Sequence, residues 1–262
     1  MSRVPEREVA FKAALRGDWG HLLEIHDELQ STQDRLRQLA DHGDPAGACV
    51  MADYQSGGRG QHGRLWQAKP GQGLLFSLLL RPNLSAADLG GLPPLIASLA
   101  LLRSLAPLEL ELSLRWPNDL YAGPRKLAGL LMEGRIEGEN YRHIALGVGL
   151  NLGQARIDFP SELCERAVSL RQLLGQVPLP EDILAEFLFE MERLWKRLEA
   201  GEGSALVQEW KNHWPDAKRV VRTTEGLGQV MDVNEQGGLV LLKNNGEHLL
   251  YDSSSILRWE GP

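Results

Sequence analysis

The chain has 262 residues, 43% of them hydrophobic and 24% charged, which suggests one large domain, or a main domain with a smaller companion, around an ample core. No apolar run approaches the roughly 18 residues of a membrane span, and the N-terminal stretch lacks the apolar centre of a secretory signal, so the expected location is the cytoplasm. Lys and Arg number 28 against 35 Asp and Glu, a net charge of −7, which speaks against DNA or an anionic membrane as a partner and makes any anion site a local one.

Cys49 and Cys164 are too few and too far apart for a disulfide framework or a zinc site and read as buried free thiols. Residues 1–30 are polar and helix-like. A helix follows over STQDRLRQLADHGD, with Ser31 or Thr32 as N-cap and Gly43 as its stop. ACVMADY (48–54) and GLLFSLLLRP (73–82) read as buried strands joined by the loop SGGRGQHGRLW (56–66). LPPLIASLALLRSLAP (92–107) is apolar nearly all round, with Pro93 and Pro94 at its start, and predicts a buried helix. Strand-like 110–116, a turn at 117–126, and strands over 127–136 and 143–152 come next, the last two joined at Gly138-Glu139-Asn140.

From Pro180 the spacing of Ile183, Phe187, Met191, Leu194, Trp195 and Leu198 predicts a long amphipathic helix ended by Gly201, and a short helix runs through Trp210. Five brief strand-like pieces separated by Gly or Asn turns then read as a small β-barrel. The expected division is a main domain over 1–214 and a barrel over 215–262.

Two stretches carry chemistry. In the loop, Gly57, Gly58, Gly60 and Gly63 let the backbone approach a ligand, and Arg59 and Arg64 offer forked donors for phosphate or carboxylate. A glycine-rich surface turn with solvated arginines is the ordinary alternative, and neither familiar nucleotide motif is satisfied. In RWPNDLYAGPRKLAGLLME (115–133), Lys126 enters an apolar strand, where an ammonium must find an anion, shift its pKa or extend to water. Asp119 is either a turn former or a group that orients an amine and accepts its proton. GVGLN (147–151) adds two glycines and an amide at a strand end.

In this order HDELQSTQ (26–33), ADYQSGGRGQHGRLW (52–66), RWPNDLYAGPRKLAGLLME and GVGLNL (147–152) resemble the biotin-protein ligase family, with a likeness running to about Trp259. The resemblance implies an α+β fold, a mixed sheet flanked by helices and related to class II tRNA synthetases, followed by an SH3-like barrel. It also implies a reaction: biotin and ATP give biotinyl-adenylate with Mg²⁺ required, and biotin then passes to one lysine of the biotin carboxyl carrier protein of acetyl-CoA carboxylase. It leaves room for a homodimer and names no metal ligands.

By position, the resemblance places Ser31, Thr32, Gln33, Gln55, Arg59, Gly60, Gln61 and Lys126 at biotin, and Arg59, Arg64, Asn118, Lys126 and Asn151 at ATP. Lys126, Arg59 and Asp119 would serve the chemistry. Neutral groups suit the ureido ring, and cations suit the junction of carboxylate and α-phosphate. The glycine loop would close over a reactive anhydride. Gln33 stands where the family more often has Asn, and Gln61 where it has a second loop arginine. The latter change removes a charged hydrogen bond of roughly 1.5–3 kcal/mol. Some relatives carry an N-terminal winged helix and repress transcription, which the short N-terminal stretch and negative charge make unexpected here. The rival readings are a protein that binds biotin or its adenylate without efficient transfer, and lipoate ligation, which expects a different motif.

Overall fold

The computed structural model describes residues 4–243, 246–251 and 256–260. The N-terminal segment is only partly helical: α1 (Val4–Ala14) is followed by a strand, β1 (Leu23–Leu29). The strand escaped notice because its few apolar residues, such as Ile25, are set among charges and its stability comes from its pairing. Next come α2 (Thr32–His42) and β2 (Cys49–Gln55), which pairs in parallel with β1. Ser31 caps α2 with extended backbone, and Gly43 ends it at φ 95°, a left-handed conformation that favours glycine.

The chain continues through β3 (Gly73–Leu80), α3 (Ala86–Leu89), α4 (Leu92–Ser104) and β4 (Leu112–Arg115). The segment 117–126, expected as a turn, contains the short strand β5 (Asp119–Ala122), whose central apolar pair is enough to add a rung to the sheet. β6 (Arg125–Glu137) and β7 (Asn140–Asn151) form the long hairpin, turning at Gly138 with φ 65°. The seven strands make one mixed sheet in the order β1-β2-β3-β7-β6-β5-β4, parallel only between β1 and β2.

Beyond the sheet lie α5 (Leu170–Leu174), α6 (Pro180–Glu199) and α7 (Gly203–Lys211). One face of the sheet is covered by α4 and α6, whose Leu95, Ile96, Leu99, Phe187, Leu188 and Met191 join the main core. All six residues assigned to the apolar face of the long helix are buried. On the other face α2 packs Leu36, Leu39 and Ala40 on Val50, Leu79 and Ala145 and covers only part of the sheet, which leaves room for a ligand. Cys49 is buried as expected, whereas Cys164 is half-buried, because it lies in a connecting segment after β7 and not in a core element.

The C-terminal strands are β8 (Val220–Thr223), β9 (Gly226–Val233), β10 (Leu239–Lys243), β11 (His248–Tyr251) and β12 (Ile256–Glu260). They form an antiparallel sheet in the order β11-β10-β9-β8-β12, matching the five strands expected of the small SH3-like unit. Its β9–β10 turn meets the head of α4, where the Gly91 N–H donates to the Gln236 carbonyl at 2.8 Å.

Candidate active site

The sheet face that carries α2 also holds a cavity of about 500 Å³, floored by β3, β6 and β7 and roofed by the loop 56–66. Glycines make the floor. Gly129 lies opposite Gly149, and Gly147 lies between Leu131 and Ser77. A Cβ on Gly149 would sit 2.5 Å from the Trp66 ring, and one on Gly147 would sit 2.9 Å from Gln33. The glycines of GVGLN therefore clear the space that these two side chains occupy. The Trp66 indole N–H is buried with no acceptor among the described residues.

One end of the cavity is neutral. Thr32, the first residue of α2, donates its backbone N–H to Gln55 Oε1 at 2.8 Å, and its hydroxyl lies 3.1 Å from the same oxygen and 2.8 Å from Ser77 Oγ. Gln33 Nε2 donates to the carbonyls of Leu131 and Ala145 at 3.1 and 3.2 Å. The extra methylene that glutamine has over asparagine thus reaches across two strands. Both amide protons are committed, leaving Gln33 Oε1 as its acceptor.

The other end is charged: Lys126 Nζ would lie 2.9 Å from a Cβ on Gly129, two residues or about 7 Å along β6 from the Leu131 carbonyl that Gln33 holds. Pairing between β5 and β6 shifts register between Leu120 and Tyr121, which face Ala128 and Lys126. Leu127 is thus the extra residue of a β-bulge, and the bulge turns Lys126 to the same face as Gly129. Lys126 Nζ is 2.7 Å from Asp119 Oδ1 and 5.9 Å from the centroid of the Trp66 ring. The amides Asn118 and Asn151 are buried and fix the local backbone: Asn118 bonds the Leu130 carbonyl, and Asn151 Nδ2 donates to the Lys126 carbonyl at 3.4 Å.

The loop closes on itself, with the Gly60 N–H on the Arg64 carbonyl at 2.7 Å and the Trp66 N–H on the Gly58 carbonyl at 3.0 Å. A Cβ on Gly58 would meet the Trp66 carbonyl oxygen at 2.6 Å, so this crossing requires glycine. Arg59, expected at the anionic junction, instead forks onto Asp34 at 2.8 and 3.0 Å and reaches Glu133 at 3.4 Å. Arg37 bonds both of these acids. The Arg59 hydrogen bonds are the largest influence holding the Asp34 carboxyl below the usual carboxylate range, with Arg37 adding to them against the effect of burial. Arg64 is exposed, with no ion pair among the described residues.

Thr32, Gln33, Gln55, Arg59, Gly60, Gln61, Arg64, Asn118, Asp119, Lys126 and Asn151 all line this one cavity. Ser31 is buried at the head of α2, outside the lining. The sequence reading missed Asp34 and Glu133, which hold the loop, and also Trp66, Tyr121 and Arg166 in the cavity wall. Trp66 stood inside the quoted loop and could have been singled out as a large aromatic beside glycines; the others left no local trace. Among the described residues no three His, Cys, Asp or Glu side chains form a metal cage. A Mg²⁺ ion, which keeps waters and binds through one or two carboxylates together with phosphates, fits the single cavity carboxylate Asp119.

Residues 27–151 match the model of the biotin/lipoate A/B protein ligase family. The chain is 32% identical to the biotin–[acetyl-CoA-carboxylase] ligase of Mycobacterium tuberculosis, over 85% of this chain and 84% of that one. It is 28% identical to the bifunctional ligase/repressor BirA of Bacillus subtilis, over 96% of this chain and 78% of the relative. The structure is similar to that of the Aquifex aeolicus biotin protein ligase in complex with biotin and ATP, with a TM-score of 0.74 and 27% identity over 88% of this chain and 96% of that one.

Proposed function

The chain belongs to the biotin/lipoate A/B protein ligase family, and from that premise we propose that it forms biotinyl-adenylate from biotin and ATP and transfers biotin to a lysine of a biotin carboxyl carrier protein. The observation that carries the reading is one cavity with the neutral hydroxyl and amide groups of Thr32, Gln33 and Gln55 at one end and Lys126 at the other, with Arg64 also in its lining. A ligand with a neutral ureido head and a carboxylate tail fits that polarity without burying unpaired charge. Residues 1–214 would be the catalytic unit and 215–262 the barrel, and the expected location is the cytoplasm.

In the first step a biotin carboxylate oxygen attacks the α-phosphorus of ATP, and the bond to the bridging oxygen breaks as pyrophosphate leaves with the electron pair. Lys126 faces the negative charge that gathers at this junction, where a fixed cation is worth most. Bound Mg²⁺ would neutralise part of the phosphate charge. In the second step the neutral amine of the acceptor lysine attacks the activated carbonyl, and AMP leaves. Asp119, which is paired with Lys126, would orient that amine and take its proton. The loop with Trp66 covers the anhydride and keeps water from it.

The protein incubated with ATP, Mg²⁺, biotin and a folded carrier domain should label that domain, read by the mass shift of the carrier. Absence of transfer would overturn the reading, and release of pyrophosphate without transfer would favour the adenylate-binding alternative. Lys126→Gln should slow adenylate formation by about 10²–10³-fold, the usual cost of removing a group that stabilises transition-state charge.

A further inference from the structure

Most of the charge of ATP sits on its β- and γ-phosphates, and the residues expected to meet it are partly engaged. Arg59 is paired with Asp34 and Glu133, and Lys126 is shared with Asp119. Arg64 remains, exposed and in the lining of the cavity. A second guanidinium without an ion pair among the described residues lines the same cavity: Arg166, in the segment between β7 and α5.

Its backbone is fixed beside Lys126. The Lys126 N–H donates to the Arg166 carbonyl at 2.7 Å, the Val168 N–H donates to the Lys126 carbonyl at 2.9 Å, and Lys126 and Ala167 form a parallel bridge. This short rung holds Arg166 at the charged end of the site. Its side chain is exposed, with no ion pair or hydrogen bond among the described residues. Its field also reaches the cavity wall: the Tyr121 hydroxyl, raised in pKa by burial and by Asp119, feels the opposing charges of Arg115 and Arg166.

We propose that Arg166 binds the β- and γ-phosphates of ATP and the pyrophosphate that leaves, a role that rests on the ligase reading above. A forked guanidinium suits two phosphate oxygens at once, and its position lets it meet the leaving part of the nucleotide while Lys126 meets the reacting part. Such a contact strengthens ATP binding and adenylate formation and adds nothing to retention of biotinyl-adenylate, which has lost those phosphates.

The test compares wild type with Arg166→Gln and Arg166→Lys in the full chain. Arg166→Gln should raise the KM for ATP by about 10-fold or more, as expected for a lost charged hydrogen bond, and weaken inhibition by pyrophosphate to a similar degree, with Arg166→Lys intermediate. Biotin affinity measured by calorimetry without ATP, and the off-rate of preformed biotinyl-adenylate, should stay at wild-type values. An unchanged KM for ATP and unchanged pyrophosphate inhibition in Arg166→Gln, with wild type forming adenylate, overturns this role alone. Equal weakening of biotin and ATP also overturns it, since that marks a distorted segment. A wild-type chain that forms no adenylate overturns the ligase reading as well.

Discussion

Arg59 shows how a residue's type and its use can separate. Two glycine-flanked arginines suggest a phosphate cradle, yet one of them is held by Asp34 on α2 and by Glu133 on β6. The pair is about one-third exposed, so it is worth at most about 1 kcal/mol, enough to bias the loop and weak enough for a ligand to displace. Asp34→Asn should therefore speed hydrogen exchange of residues 56–66 in the ligand-free protein by a few-fold, roughly the factor that 0.5–1 kcal/mol allows. A depressed carboxylate pKa means that the contact is complete above the ordinary aspartate value and is lost as pH falls through the lowered one. An NMR titration of the Asp34 carboxyl should have its midpoint below the ordinary 3.8; a midpoint at or above that value would show the pair absent. Gln61 sits in the single helical turn of the loop, with its carbonyl accepting from the Arg64 N–H at 3.2 Å, and lines the cavity. Gln61→Arg should slow the loss of biotinyl-adenylate by about 10-fold or more if the new charge reaches the phosphate, as rapid dilution of the preformed complex would show; an unchanged off-rate would make Gln61 neutral.

At the scale of elements, the site depends on how strands meet. Periodicity identified the apolar strands and the long helix because their patterns are local, and glycine punctuation marked the turns. The pairing of Gly129 with Gly149 and the bulge at Leu127 are set by neighbouring strands, so no window of sequence displays them. Lys126 was recognised by its residue type and context, while its direction came from the bulge. Gly149→Ala tests the floor. Its Cβ would fall 2.5 Å from Trp66, so the ring must move, at an overpacking cost of about 1–3 kcal/mol. Thermal unfolding should record that loss, and the emission of Trp66, read against a Trp66→Phe control, should shift as its surroundings change.

For the whole molecule, the two sheets are joined by buried polar contacts. Trp116 Nε1 donates to the Gly237 carbonyl at 2.9 Å, and Asp216, 1% exposed, lies 2.8 Å from Arg219 and 3.7 Å from Arg115. Arg115 in turn stacks on Tyr121 in the cavity wall, 4.1 Å from the ring centroid, so the contact leads from the junction to the site. Asp216→Ala leaves a partly buried guanidinium without its acid and should cost about 3 kcal/mol, lowering Tm by roughly 6–12 °C; a melt within a degree of wild type would show the contact to be dispensable. The sequence by itself determined the main helices and the apolar strands, the β-rich C-terminal unit and the chemistry of the loop and of Lys126, though not the strands β1 and β5, because propensity, capping and side-chain charge act over a few residues. Only the tertiary structure decided that β1 joins the sheet, that Arg59 is held by acids and that Arg166 stands beside Lys126. Those outcomes depend on register and on contacts between residues far apart in the chain, whose energies exist only once the sheet has formed.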